Sequence, residues 1–165
     1  NIRHYKGYED LCEAFRRLPG DHLRLVIAGY VHHSFDVRIG RECKRDERVL
    51  WIEGTVPNTE MQIYMNAADV GMFPYRDALT SGAVINALGF AKPVIATRLG
   101  CIPEVLGDSG AGEMVPPGDV DALAAAMREV QTWDLAARGA AAQRRARELD
   151  WDSIAGRTLV AYGVT

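Results

Sequence analysis

The sequence has few cysteines, no long apolar run and no excess of positive charge, and each shortage excludes a class of protein. Only Cys12, Cys43 and Cys101 are present among 165 residues, and no two of them form a CxxC pair. This spacing predicts a protein of a reducing compartment, with neither a zinc site nor a disulfide framework. No apolar run approaches the roughly 18 residues that a membrane span requires. We therefore expect a cytoplasmic protein without a membrane-spanning helix.

The composition is that of a folded globular domain. Hydrophobic residues make up 48% of the chain and charged residues 25%, with 19 basic against 22 acidic side chains and a net charge of −3. A nucleic-acid-binding protein is more often basic, so we expect no nucleic-acid partner. The length predicts one domain over residues 1–165. The opening residues Asn1-Ile2-Arg3 have the pattern of the end of a strand, so we expect a piece of a longer protein.

Short apolar runs alternate with amphipathic helical patterns along the chain. Such runs are typical of strands that are buried on both faces of a parallel sheet. The predicted strands are residues 23–29, 49–54, 68–73, 93–97 and 112–115, after a truncated first strand. The predicted helices are 8–18, one capped by Asn58 and Thr59, 81–90, one opened by residues 117–119, 136–149, and a terminal helix at about 150–165. This order predicts an α/β fold, a Rossmann-like doubly wound parallel sheet of about six strands with helices on both faces.

In such a sheet the ligand lies outside the carboxyl ends of the strands, so the loops there are the candidate site. Arg3 and Lys6 are three residues apart, and Gly7 follows just before a predicted helix. Two cations beside a helix N-terminus can bind an anion, because the backbone N–H groups and the helix dipole add to their charge. An ordinary pair of surface cations is an equally good interpretation of this loop taken alone.

A second loop leads into the helix that begins near residue 81. Thr80, Ser81 and Gly82 can present N–H groups and hydroxyls to a phosphate or a sugar, although an ordinary Thr/Ser helix cap explains them equally well. Asn86 lies one turn further along the same face. Glu104 follows the next strand and is expected in the first turn of a helix, where the dipole favours a carboxylate.

Other parts of the sequence lack the motifs of common nucleotide and metal sites. The chain contains no GxGxxG and no GxxxxGK[ST] sequence, so it lacks the dinucleotide and Walker A loops. His32 and His33 have no third ligand near them in sequence, which makes them loop histidines rather than metal ligands. Four arginines in residues 136–147 are expected on the solvated face of a helix, with a docking surface as the alternative.

Taken together, the motifs resemble the C-terminal, donor-binding domain of retaining glycosyltransferases of the GT-B fold, family four. The resemblance covers almost the whole chain and depends on the order and spacing of several segments. They are Arg3-x-x-Lys6-Gly7 with Glu9-Asp10-Leu11, Leu25–Gly29, Val49–Gly54, Ala67–Val70 with Phe73-Pro74, Lys92–Thr97, Gly100 with Ile102–Val105, and Pro117-Gly118-Asp119.

The resemblance implies a function and a set of roles. The ligand would be a nucleoside-diphosphate sugar, with no cofactor and no metal. Arg3 and Lys6 would neutralise the diphosphate as the nucleotide leaves, and residues 80–82 would hold the diphosphate or the sugar. Gly54 and Val56 would contact the base, and Glu104 would reach toward the ligand. The acceptor would bind to an N-terminal domain outside this sequence, through which peripheral contact with the inner face of a membrane would also occur.

Two positions depart from the family pattern, which usually has two glutamates separated by seven residues. The matching positions are Ala78 and Asn86. Asn86 can still hydrogen-bond a ribose, whereas Ala78 cannot bind the donor sugar through its side chain. The first-strand arginine of the family falls at Asn1, and Arg3 can replace it because residues two apart in a strand share a face. A non-catalytic nucleotide-sugar-binding module and a sugar-nucleotide epimerase of similar architecture therefore remain as alternatives.

Overall fold

The computed structural model describes residues 1–163 and has an α/β fold in which helices and parallel strands alternate. In chain order the elements are α1 (Tyr8–Arg16), β1 (Leu25–Gly29), α2 (Val37–Cys43), β2 (Val49–Glu53), α3 (Met61–Ala67), β3 (Gly71–Phe73), α4 (Gly82–Gly89), β4 (Val94–Thr97), α5 (Ile102–Leu106), β5 (Gly112–Val115), α6 (Val120–Glu129), α7 (Leu135–Glu148) and α8 (Trp151–Ala161). Short 3-10 turns cover His4–Lys6 and Val130–Thr132.

Every strand pair is parallel, as the sequence predicts. β1 pairs with β2, and β4 lies between β3 and β5 in a second group. The truncated first strand appears as a single parallel bridge between Ile2 and Val31, so the described residues form five strands and one bridge. All four residues of β4 are buried, which requires cover on both faces of the sheet.

Local capping explains where several helices begin. The side chains of Ser81, Asp119, Asp134 and Asp150 each accept a hydrogen bond from the backbone N–H of the third residue of α4, α6, α7 and α8. These helices confirm the predicted ones to within two residues at their starts. The cap predicted at Asn58 and Thr59 was wrong, because α3 begins after Glu60 without a side-chain cap. Residues 164 and 165 of the predicted terminal helix lie outside the described residues. α2 was not predicted, because seven residues make only about two helical turns, too few to show a clear period, and glycine at position 40 has a low helix propensity.

Two clusters of buried side chains form the core. One cluster joins β1 to α1 and α6, with Phe15, Ile27 and Leu123 among its members. The other joins β3 and β4 to α4, α5 and α7, and includes Leu88 and Ile102. Ile95 of β4 packs in the first cluster while its neighbours Val94 and Ala96 pack in the second. The central strand therefore connects both parts of the core.

The prediction that the cysteines form no disulfide was wrong. Cys12 of α1 and Cys43 of α2 form a disulfide, with their Cα atoms 5.4 Å apart and the two residues 31 positions apart in sequence. Both side chains are almost completely buried, and Cys101 is the free cysteine of the described chain. Such a separation leaves no spacing signature in the sequence. Only the packing of α1 against α2 brings the two sulfur atoms together.

Candidate functional site

The turn that contains Arg3 and Lys6 connects the bridge at Ile2 to the start of α1. The backbone turns through His4–Lys6, and the N–H of Gly7 donates to the carbonyl of His4. Gly7 has a φ of +71°, a conformation that glycine adopts without steric cost. α1 begins at the next residue. Both cations therefore lie directly before a helix N-terminus, as predicted.

In the described part of the chain, neither Arg3 nor Lys6 has a carboxylate partner. Most ion pairs among residues 1–163 lie on the surface, and none of them includes Arg3 or Lys6. Burial, and secondly the charge of Arg3, lowers the pKa of Lys6 below its ordinary value. A partly buried, uncompensated pair of positive charges is stabilised when an anion binds. This charge pattern favours the anion site over the alternative of two ordinary surface cations.

Two tyrosines form the wall beside Lys6. The Nζ atom of Lys6 lies 5.8 Å from the centroid of the Tyr75 ring, and the Tyr5 ring meets Tyr75 edge-on at 6.2 Å. Tyr75 is buried, and burial raises the pKa of its hydroxyl. A cation near an aromatic face gains modest electrostatic stabilisation without losing its charge for a ligand.

Tyr75 also connects Lys6 to the loop before α4. The hydroxyl of Ser81 donates to the Tyr75 hydroxyl at 3.3 Å and accepts from the N–H of Val84. Ser81 is therefore the N-cap of α4, which was the alternative interpretation of this residue. Thr80 and Gly82 are exposed, and a Cβ at Gly82 would meet no atom within 4 Å. The space above the N-terminus of α4 is thus open to a ligand.

The turn after β4 holds this loop in place. The Thr97 hydroxyl donates to the carbonyl of Tyr75 at 2.8 Å, and the Cys101 N–H donates to the carbonyl of Leu79. At Gly100, with a φ of +49°, a Cβ would lie only 2.2 Å from the Leu79 carbonyl oxygen. Glu104 lies in the first turn of α5, as predicted, and its side chain is exposed.

Arg76 is a residue of this site that the sequence did not single out. Its guanidinium donates two hydrogen bonds to the carboxylate of Asp10 in α1, at 2.7 and 2.5 Å, and lies 3.1 Å from Glu9. The hydrogen bonds that Arg76 donates to the Asp10 carboxylate raise the pKa of the guanidinium. Asp10 lies on the buried face of α1, four residues before Ala14. A carboxylate on a buried helix face needs a cationic partner, and this signal in the sequence could have pointed to an arginine such as Arg76.

The structure brings some of the predicted residues together and leaves others apart. Lys6 and Ser81 both reach Tyr75, so the cationic turn and residues 80–82 border one region. Asn86 is exposed on α4, one turn beyond Gly82. Gly54 follows β2, where its N–H donates to Gly29, and Val56 is half-buried nearby. No contact found in the described chain joins Gly54 or Val56 to the cationic turn.

Other features of the described residues bear on ligand type. The described residues contain no group of three or more histidine, cysteine or acidic side chains placed to hold a metal ion. A groove of about 530 Å³ runs between α1 and α2, beside the disulfide, and its mixed acidic and basic lining includes Asp10 and Arg76 at one end. No helix of the described chain is long and apolar enough to cross a membrane.

These observations define a class: a parallel α/β domain with an uncompensated cation pair and an open helix N-terminus at one edge. Comparison with known proteins then gives the family. Residues 1–132 match the family model described as glycosyl transferases group 1. The chain belongs to this family, and its α/β fold is that of the GT-B glycosyltransferases.

Individual relatives agree with the family assignment. The chain is 28% identical over 171 aligned residues to O-antigen chain mannosyltransferase B of Escherichia coli, covering 95% of this chain and 42% of the relative. Its fold matches Anabaena HepE, crystallised with UDP, with a TM-score of 0.80 at 17% identity, over 99% of this chain and 46% of the other. It also matches the C-terminal domain of a group 1 family protein from Francisella tularensis, with a TM-score of 0.71 at 21% identity, over 88% and 78% of the two chains. The chain thus spans about two fifths of the curated relative's length.

Proposed function

We propose that this chain is the C-terminal, donor-binding domain of a retaining glycosyltransferase of family four. It would bind a nucleoside-diphosphate sugar, and a second, N-terminal domain would bind the acceptor. The observation that carries the proposal is the partly buried pair Arg3 and Lys6, which has no carboxylate partner in residues 1–163 and lies before the N-terminus of α1. Two adjacent positive charges match the diphosphate of such a donor.

In this proposal each part of the site has a distinct task. Arg3 and Lys6 bind the diphosphate and stabilise the negative charge that develops on the leaving nucleotide. These two cations perform the task that a metal ion performs in other enzymes, so the proposed reaction is metal-independent. The N–H groups at the start of α4, with Thr80 and Gly82 exposed beside them, hold a phosphate or a sugar hydroxyl.

The remaining predicted contacts concern the nucleoside and the donor sugar. Asn86 would hydrogen-bond the ribose, and Gly54 and Val56 would contact the base through their backbone. Glu104, exposed in the first turn of α5, would reach a sugar hydroxyl. These roles come from the resemblance and are consistent with the exposure of all four residues in part or in full.

Two of the matched structures support a nucleotide donor and a two-domain organisation. Anabaena HepE was crystallised with UDP, and the Francisella match is a C-terminal domain. We infer a nucleoside diphosphate as the common ligand, with the base unassigned. Because the acceptor would bind elsewhere in the protein, we expect this chain by itself to bind the donor without transferring its sugar.

A non-catalytic binding module is the second candidate, and one observation favours it. Ala78 and Asn86 replace both glutamates of the family pattern, so one donor-sugar contact is absent and the ribose contact is uncharged. Binding of a nucleotide sugar by the intact protein, without transfer or hydrolysis across an acceptor panel, would select this candidate. A changed donor sugar without any acceptor would instead select an epimerase.

The cellular location stays a prediction. We infer action at the cytoplasmic side, with peripheral membrane contact through the acceptor-binding part, from the resemblance alone. The Cys12–Cys43 disulfide argues in the other direction, since such bonds are uncommon in reducing compartments.

A thermal-shift panel tests the proposed donor site. The chain would be heated with UDP, GDP, ADP and dTDP and with their sugar derivatives, alongside the double variant Arg3→Gln/Lys6→Met. A ligand at a hundred times its dissociation constant stabilises the folded state by about 2.7 kcal/mol. We expect one nucleotide to raise the Tm of the wild type by several degrees and to leave that of the variant unchanged. Equal shifts for both proteins would contradict the assigned roles.

A further inference from the structure

One ion pair connects the two loops that form the candidate site. Arg76 lies in the loop between β3 and α4, and Asp10 lies in the first turn of α1. The two residues are 66 positions apart in sequence, and both carboxylate oxygens accept from the guanidinium. The Asp10 side chain is 9% exposed and that of Arg76 32%. This is therefore a largely buried, bidentate pair, whereas most ion pairs of the described chain lie on the surface.

Two backbone contacts reinforce the same connection. The N–H of Arg76 donates to the carbonyl of Tyr5 at 2.7 Å. Gly7 packs so closely against the loop that a Cβ there would lie 1.8 Å from the carbonyl oxygen of Pro74. The cationic turn and the start of the second loop are thus in direct contact on either side of the ion pair.

The chemistry of the pair makes it a precise connection. A guanidinium has a planar fork of donors that matches a carboxylate in one orientation, whereas a lysine ammonium can be satisfied from many directions. Removing one partner of a buried pair leaves the other without compensation. The loop from Pro74 to Gly82 therefore has one favoured position relative to α1 while the pair is intact.

We infer that Arg76 is a positioning residue, which acts through Asp10 to fix the distance between the Arg3–Lys6 turn and the N-terminus of α4. This inference rests on the proposed function, because a diphosphate would span those two groups. Arg76 itself binds Asp10 and not the ligand. A ligand with one phosphate needs only one of the two groups, so its affinity does not depend on their separation.

The test compares a nucleoside diphosphate with its monophosphate. Affinities of UDP, GDP, ADP and dTDP and of the four monophosphates would be measured by calorimetry at a temperature where every variant is folded by circular dichroism. The variants are Arg76→Gln, Arg76→Lys and Asp10→Asn. Arg17→Gln is the matched control, since it breaks an exposed inter-element pair between the far end of α1 and Asp121.

We expect Arg76→Gln to weaken the preferred diphosphate about tenfold or more, because small displacements of binding groups have effects of that order or larger. The monophosphate should change less than about twofold, and Arg17→Gln should change neither. Arg76→Lys should not restore the diphosphate affinity, and combining Arg76→Gln with Asp10→Asn should add little to either single change, as for two residues that act as a unit.

Three results would overturn the inference while leaving the proposed function intact. They are wild-type diphosphate affinity in Arg76→Gln, an equal loss for diphosphate and monophosphate, and failure of all three variants to fold, which would give the pair a purely structural role. If the wild type binds none of the nucleotides, the proposed function fails first and the inference fails with it.

Discussion

Loss of the Cys12–Cys43 disulfide should lower the stability of the fold by a large and measurable amount. The bond closes a loop of 31 residues between α1 and α2. In the chain-entropy model, a loop of that length stabilises the folded state by about 3–4 kcal/mol relative to the open chain. That is a considerable part of the roughly 5–15 kcal/mol by which native proteins are stable.

The perturbation is the double substitution Cys12→Ala/Cys43→Ala, followed by urea unfolding. At a typical urea slope for a small protein, the expected loss moves the midpoint by about 2 M. Cys101→Ala, which removes the free cysteine, serves as the control and should leave the midpoint within about 0.5 M by the same slope.

A thiol count provides the decisive comparison. The unfolded, unreduced protein should contain one reactive thiol, and three should appear after reduction. Three thiols without reductant, or an unchanged midpoint in the double variant, would refute this reasoning. The first result would also restore the expectation of a reducing compartment that the spacing of the cysteines suggested.

Three further predictions concern the site. Gly7→Ala should destabilise the fold by more than Gly118→Ala in equilibrium unfolding, because both glycines have a φ near +70° but only Gly7 packs against the Pro74 carbonyl. Lys6→Met should raise the Tm while abolishing diphosphate binding. Burial lowers the pKa of Lys6 in the folded state below the ordinary 10.5, so between those two pKa values the unfolded state binds more protons than the folded state. As the pH rises through that window, the free energy of unfolding of the wild type should therefore increase relative to that of Lys6→Met. Asn86→Glu should strengthen nucleoside diphosphate binding measured by calorimetry if this position contacts the ribose, whereas unchanged affinity would remove Asn86 from the site.

Features that depend on local sequence were predictable, and the strands are the best example. Val94–Thr97 and Val49–Glu53 are short apolar runs with β-branched residues, closed by glycine, proline or polar residues, and such runs indicate strands from the local sequence. The caps at Ser81 and Asp119 are likewise local, because the side chain bonds an N–H three residues away. α2 was missed since its seven residues are too few to show a helical period and include a glycine, whereas its packing against α1 is visible only in the fold.

The connections within the site could not be predicted in the same way. Arg3 and Lys6 stand out in sequence because two cations, a glycine and a helix start occur within six residues. Arg76 and Asp10 are 66 positions apart, and nothing in either segment specifies the other as a partner. Such pairs exist only once the strands have brought their following loops to one edge of the sheet.

The central claim is that Arg3 and Lys6 bind a nucleoside diphosphate, and isothermal titration calorimetry tests it most directly. The wild type and Lys6→Met would each be titrated with the diphosphate that gives the largest thermal shift and with the corresponding free nucleoside. The account predicts that Lys6→Met loses at least about tenfold in diphosphate affinity, since charge-assisted contacts contribute about 1.5–3 kcal/mol each, while nucleoside binding is unchanged. Equal diphosphate affinity in the two proteins would contradict it.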